Sequence, residues 1–172
     1  MSTRAELERW FDALLAAHGA ALARLAASYT RERGEREDLV QEIALAIWRA
    51  LPAFRRECSE RTFVFRIAHN RAMTHIGRRR PPMVDADAEA LAIEDTAPDP
   101  ERSLSVGQQG ARLLEAVREL PLRYAQVMTL TLEGLDYAEI ADVLGISETN
   151  VGARLTRARQ MLRARLGASN GR

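Results

Sequence analysis

The stretch YAEIADVLGISETNVGARLTRAR, Tyr137 to Arg159, reads as two short helices joined at a glycine, the second rich in arginine. Ile140, Ala141 and Leu144 recur at helical spacing and face inward from the first helix, with Ala141 small where a second helix crosses closely. Gly145 takes the turn, where a left-handed backbone is easiest for a residue without a Cβ. Ile146 plugs the corner, and the hydroxyl of Ser147 caps the helix that follows. Val151 and Leu155, four residues apart, anchor that helix to the first. Thr149, Asn150, Gly152, Ala153, Arg154, Thr156 and Arg157 remain for the outside. A helix-turn-helix places the N-terminal part of its second helix against base edges, where arginine pairs with guanine or with phosphate. An ordinary helical hairpin with a solvated basic face leaves unexplained why small residue, turn glycine, corner isoleucine, capping serine and arginine series coincide. The pair is read as binding DNA. It does not say whether it serves a stand-alone regulator or a subunit of a larger machine.

Charge supports the same reading once its distribution is followed. The formal net charge is only +1, and all 25 basic residues are arginine. Between Phe54 and Arg80 there are eight arginines against two glutamates, and between Ser147 and Leu166 five against one. From Asp85 to Glu101 the chain carries seven acids and no base. Basic segments flank an acidic one, the pattern of two nucleic-acid surfaces separated by a linker.

Helical periodicity runs almost throughout, without strand alternation. A helix over Ala5 to His18 is expected to break at Gly19 before a second over Ala20 to Thr30. Leu39, Ile43, Ile47 and Leu51 recur every fourth residue as a buried stripe, and Pro52 ends that helix. A short loop, FRRECSE, precedes a helix from Arg61 to Ile76. Pattern resumes near Gln108, is punctuated by Pro121, and continues over Tyr124 to Leu132. The expectation is an all-α chain of two small helical bundles, residues 1–80 and 108–167, joined by a flexible acidic linker over 81–107. Bundles of this size are near the lower limit for an autonomous core.

EDLVQEIALAIWRALPAFR followed by RTFVFRIAHNRAMTHIGRRR resembles region two of the extracytoplasmic-function sigma factors of bacterial RNA polymerase. LPLRYAQVMTLTLEGLDYAEIADVLGISETNVGARLTRARQMLR resembles their region four. The resemblance implies a transcription initiation factor that binds core polymerase, through its beta and beta-prime subunits, and directs it to promoter DNA. By that resemblance Asp38, Leu39, Gln41 and Glu42 form the docking face for core polymerase. Arg56, Glu57, Cys58, Ser59, Phe63, Arg66, Asn70, Arg71 and Thr74 would meet the -10 element, where a flipped base needs a pocket, stacking surfaces and hydrogen-bonding groups. Phe63 and Phe65 are two apart and cannot share a helix face, so at least one serves the core. Many members have tryptophan at the position of Phe63 and a basic residue at that of Gly152. Thr149, Asn150, Gly152, Ala153, Arg154, Thr156 and Arg157 would meet the -35 element. Control by an anti-sigma protein is a family expectation.

The alternative is a stand-alone helix-turn-helix regulator of operator DNA, which would need a sensor or dimerisation unit where this chain has a second basic helix and loop. Catalysis is not expected. His69 and His75 lie on different faces of a helix and Cys58 in a loop, which is not zinc spacing, and no phosphate-cradling glycine loop or paired carboxylates occur. His69 reads as a hydrogen-bonding surface residue. No metal, cofactor or small-molecule substrate is implied. One cysteine, an N-terminus without a signal peptide's apolar run, and no stretch long enough to span a bilayer indicate a cytoplasmic protein without membrane insertion.

Overall fold

The computed structural model of the chain describes residues 3–79 and 106–168, and among them every regular element is helical. The first unit contains α1 (Arg4–Tyr29), α2 (Arg33–Ala50), a 3-10 turn over Leu51–Ala53, and α3 (Glu60–Arg79). The second contains α4 (Val106–Arg118), α5 (Leu122–Leu132), α6 (Tyr137–Leu144) and α7 (Glu148–Ala168). Residues 81–105 of the expected linker fall outside the described residues, and its last two already belong to α4.

Helix α1 starts on a capping box: the Thr3 hydroxyl accepts from the Glu6 amide, and the Glu6 carboxylate accepts from the Thr3 amide at 2.7 Å. It then runs unbroken through Gly19, where a break was expected. A mid-helix glycine costs about 1 kcal/mol against alanine. Leu14, Leu22 and Leu25 form one continuous buried stripe across it, and that burial outweighs the local preference. Leu39, Ile43, Ile47 and Leu51 are each 1% exposed or less, as their spacing predicts. Helix α2 ends at Ala50 and the chain turns at Pro52. Phe65, 1% exposed, is the core aromatic of α3.

The two bundles do not merely share a tether. They pack against each other, α3 on α6 and α1 on α4 and α5, and their buried side chains form one contiguous core. Polar bonds stitch this seam. Arg24 grips the Glu133 carboxylate in a fork at 3.0 and 2.8 Å, while Arg61 donates to the Glu133 carbonyl at 2.7 Å. Arg118 donates to the Ala27 carbonyl, the Thr129 hydroxyl to Ser28 Oγ, and the Gln126 amide to Met73 Sδ. Gly134 carries φ +78°, and a Cβ there would lie 3.2 Å from Arg61 Nη2, so glycine lets the turn come up under the arginine. Packing of this kind adds burial that neither small bundle supplies alone.

Candidate nucleic-acid and partner interfaces

The helix-turn-helix has the geometry its sequence requires. Asp136 caps α6 in a second capping box with Glu139, at 2.8 and 3.0 Å. Gly145 ends α6 at φ 67°, ψ 35°, the left-handed cap that favours glycine. Ser147 Oγ accepts from the Asn150 amide at 3.2 Å to start α7. Ile140, Val151 and Leu155 have no exposed surface, and Ile146 packs against them. On the inner face of α6 it is Val143 that is fully packed, Leu144 being only half-buried.

The opposite face of α7 is open. Thr149, Asn150, Ala153, Thr156 and Arg157 are exposed. Arg154 is half-buried and donates to Asn150 Oδ1 at 3.0 Å, which holds it along the helix. Thr156 bonds the Gly152 carbonyl one turn back. A Cβ on Gly152 would stand 3.4 Å from the ring of Tyr137, so that ring occupies the flank a longer residue would share. The six side chains and the glycine thus form one continuous polar surface on the first three turns of α7. Arginine and asparagine there are the groups that read guanine and adenine edges or hold phosphate.

The loop before α3 is built differently. The Phe54 amide closes the 3-10 turn on the Leu51 carbonyl and Ser59 accepts from the Thr62 and Phe63 amides at the start of α3; between these ends Arg56 adopts φ 57°, the one positive φ outside glycine among the described residues. That conformation costs an arginine about 1–2 kcal/mol. It is held by an aromatic group. Phe54 stacks on Phe63 with centroids 4.1 Å apart, Trp10 leans on Phe54 at 5.9 Å, and the Arg56 guanidinium sits 5.4 Å above the Trp10 ring. The Trp10 indole N–H donates to Glu60 Oε1 at 2.8 Å. Phe63 therefore faces Phe54, which in turn meets Trp10, and supports the loop from that side.

Cys58, Ser59 and Thr62 line a cleft of about 540 Å³ whose other wall is the helix-turn-helix: Asp136, Glu139, Asp142 and Glu148 with Ser147. Arg66 lies 3.7 Å from Asp142, and its Nε is buried without a partner. Four carboxylates thus face the loop that sequence reasoning assigns to DNA. Asn70, Arg71 and Thr74 are exposed further along α3 and do not line this cleft; Thr74 donates to the Asn70 carbonyl. Arg56 and Glu57 are exposed on the loop itself. Arg80 and the side chain of Arg79 fall outside the described residues.

His69 is a correction. It is 6% exposed, its Nδ1 has no partner, and burial pushes its pKa down to about 4, so it is a neutral core residue and not a surface one. His75 pairs instead with Glu35 at 3.0 Å.

On α2, Asp38 and Gln41 are exposed and Glu42 half-buried, 3.6 Å from Arg78. Leu45, 48% exposed, continues the same face. Leu39 is fully buried and stands behind this surface, so it cannot itself touch a partner in this arrangement. The helical spacing already puts Leu45 on the outer face with Asp38, Gln41 and Glu42, opposite the Leu39 stripe. Trp10 and Glu133 were missed, since they act through contacts across 50 and 109 residues, for which the sequence has no signal.

Family profiles match in two places: Sigma-70 region 2 over residues 14–81 and Sigma-70, region 4 over residues 110–162. Trp10 precedes the first of these. The chain is 32% identical to the RNA polymerase sigma factor NccH of Alcaligenes xylosoxydans xylosoxydans, over 92% of its length and 88% of that protein's. It is 30% identical to the ECF RNA polymerase sigma-E factor of Escherichia coli (strain K12), covering 90% of this chain and 85% of the other. Among solved structures it resembles CnrH in complex with the cytosolic domain of CnrY, with TM-score 0.70 and 30% identity over 94% of this chain and 90% of that one. The fold also matches the sigma factor RpoE bound to the anti-sigma factor NepR from Bartonella quintana, with TM-score 0.67 at 24% identity, covering 91% and 96% of the two chains.

Proposed function

The chain belongs to the sigma-70 family of RNA polymerase sigma factors, in its extracytoplasmic-function group, and from that membership we propose how its surfaces divide the work of initiation. It is a promoter-directing factor, and the chemistry of RNA synthesis belongs to the polymerase, the chain itself contributing no catalysis. It acts in the cytoplasm, where promoter and polymerase are; among the described residues no helix is long and apolar enough to cross a membrane. The exposed face of α2, with Asp38, Gln41, Glu42 and Leu45, docks core polymerase. Helix α7 reads the -35 element through Thr149, Asn150, Ala153, Thr156 and Arg157, with Arg154 placed for the backbone and Gly152 allowing close approach. The 54–59 loop with Arg66, Asn70, Arg71 and Thr74 on α3 holds the opened -10 strand.

One observation carries this reading: a single chain combines an exposed recognition helix with a second arginine-rich helix and a pocket-forming loop. A stand-alone regulator needs only the first. The acidic wall over Cys58 and Ser59 supports a corollary, that the seam parts before the -10 strand can enter, with polymerase binding supplying the energy. Control by a protein that masks these surfaces belongs to the same reading, since the related CnrH is seen in complex with the cytosolic domain of CnrY.

Duplex binding with and without core polymerase tests the assignment. The free chain should bind a promoter duplex weakly and without dimerising, and acquire sequence-specific protection of both elements only with polymerase. Tight operator binding by a dimer of the free chain would favour the regulator.

A further inference from the structure

We propose that Trp10 is a positioning residue for the promoter loop. The inference rests on the reading that residues 54–59 hold the -10 strand. Its basis is the way one indole touches the loop at three points. Phe54 at the loop's start lies 5.9 Å from the ring, and the Arg56 guanidinium stands over its face at 5.4 Å. Glu60, where α3 begins, accepts the indole N–H at 2.8 Å. Entry, apex and exit of the loop are thus tied to one side chain of α1.

A residue that only filled the core would meet apolar neighbours. Trp10 packs on the edge of the core but is only half-buried, and its open side meets two charged side chains, Arg56 in the loop and Glu60 at its exit. The arrangement also explains how Arg56 keeps its left-handed backbone. Tryptophan is the aromatic that attracts a cation most strongly, and a guanidinium stacked by its face keeps its N–H edge for a phosphate or base. Phe54, clamped between Trp10 and Phe63, fixes where the loop leaves the 3-10 turn. What remains to face the DNA is then the far side of the loop, Cys58 and Ser59, in a fixed direction. A pocket for a flipped base requires this, because a loop that must order on binding weakens the complex by the cost of ordering.

The test uses the full chain with core polymerase on a promoter whose -10 segment is already unpaired. Trp10→Leu should lower initiation at least tenfold while affinity for core polymerase stays within twofold, and Trp10→Phe should recover to within threefold of the parent. In an Arg56→Ala background, Trp10→Leu should cost at least threefold less than in the parent, because one of its three contacts is already gone. Initiation by Trp10→Leu within twofold of the parent, or a loss undiminished by Arg56→Ala, overturns the inference. A second readout is independent of whether Trp10→Leu folds. The chain has two tryptophans, so in a Trp48→Phe chain Trp10 is the sole indole. Removing Arg56 there should raise acrylamide quenching of its emission at least twofold; unchanged quenching overturns the contact. If Arg56→Ala and Ser59→Ala leave initiation intact, the loop is not the reader and the assignment beneath this inference fails. If they impair it while Trp10→Leu does not, only the positioning role fails.

Discussion

Two surfaces of this chain are offered to DNA, and they are made in opposite ways. The recognition helix α7 is regular, its reading side chains are exposed, and its own hydrogen bonds, Arg154 to Asn150 and Thr156 to Gly152, set their directions. The loop before α3 is hydrogen-bonded only at its ends, through the Phe54 amide and Ser59. It borrows support from α1 and from an aromatic stack, carries a strained Arg56, and lies under the acidic wall of the helix-turn-helix. A duplex groove can be met by a rigid helix at any time. An unpaired strand needs a pocket, and in the proposed reading the loop that would form it shares an open cleft with the chain's other half.

The largest test of that difference concerns the shared core. Leu155→Ala removes a fully buried side chain of α7 and should cost about 2–5 kcal/mol. Because the cores are continuous, unfolding should remain one transition at a lower midpoint in calorimetry. Two separated transitions would mean that the halves are independent after all. Next in size is a pH effect. His69 in the fold titrates near 4, below its ordinary 6.5, so the unfolded chain binds the extra proton between those values. Stability from this residue is complete above pH 6.5 and is lost as pH falls toward 4, by roughly 3 kcal/mol at about 1.4 kcal/mol per unit. Denaturant titrations from pH 7 to pH 4 should show this slope, and His69→Leu should remove it.

Much of this was legible beforehand. Helices, the turn at Gly145 and the buried stripes of α2 and α7 follow from spacing, because each depends on residues three or four apart. The parity of Phe63 and Phe65 correctly required one of them to serve the core, and that one is Phe65. Gly19 misled, since its local cost is overridden by packing on both sides. His69 misled for a related reason: an arginine-rich helix looks like surface, yet His69 lies on its buried side at 6% exposure. The seam had no sequence signal, because Arg24 and Glu133 are distant in the chain and each reads as an ordinary surface charge.

Smaller effects sharpen the contrast at each surface. Arg157→Ala removes an exposed side chain of the proposed reading face and should reduce promoter-specific initiation by about 1–3 kcal/mol, or roughly fivefold to 150-fold. Core association should be unchanged in co-purification. If Arg157 instead holds a phosphate, the loss will be uniform across promoters and the log–log salt slope will fall by about 0.9. Smallest is Glu133→Ala at the seam. Arg24 is 63% exposed although the Glu133 side chain is only 7% exposed; removing the carboxylate leaves a solvated arginine behind, so the loss is about 1 kcal/mol. Small-angle scattering should nonetheless show a larger radius of gyration for the variant if this fork helps to hold the halves together. An unchanged radius would assign closure to the apolar contacts and the other seam bonds, such as Arg118 to the Ala27 carbonyl and Thr129 to Ser28.

The account stands most directly on run-off transcription by purified core polymerase over a library of genomic promoters, with and without this chain. It predicts transcripts from a defined subset of start sites that appear only when the chain is added. The same transcripts without it, or no start-site choice in its presence, would contradict the account.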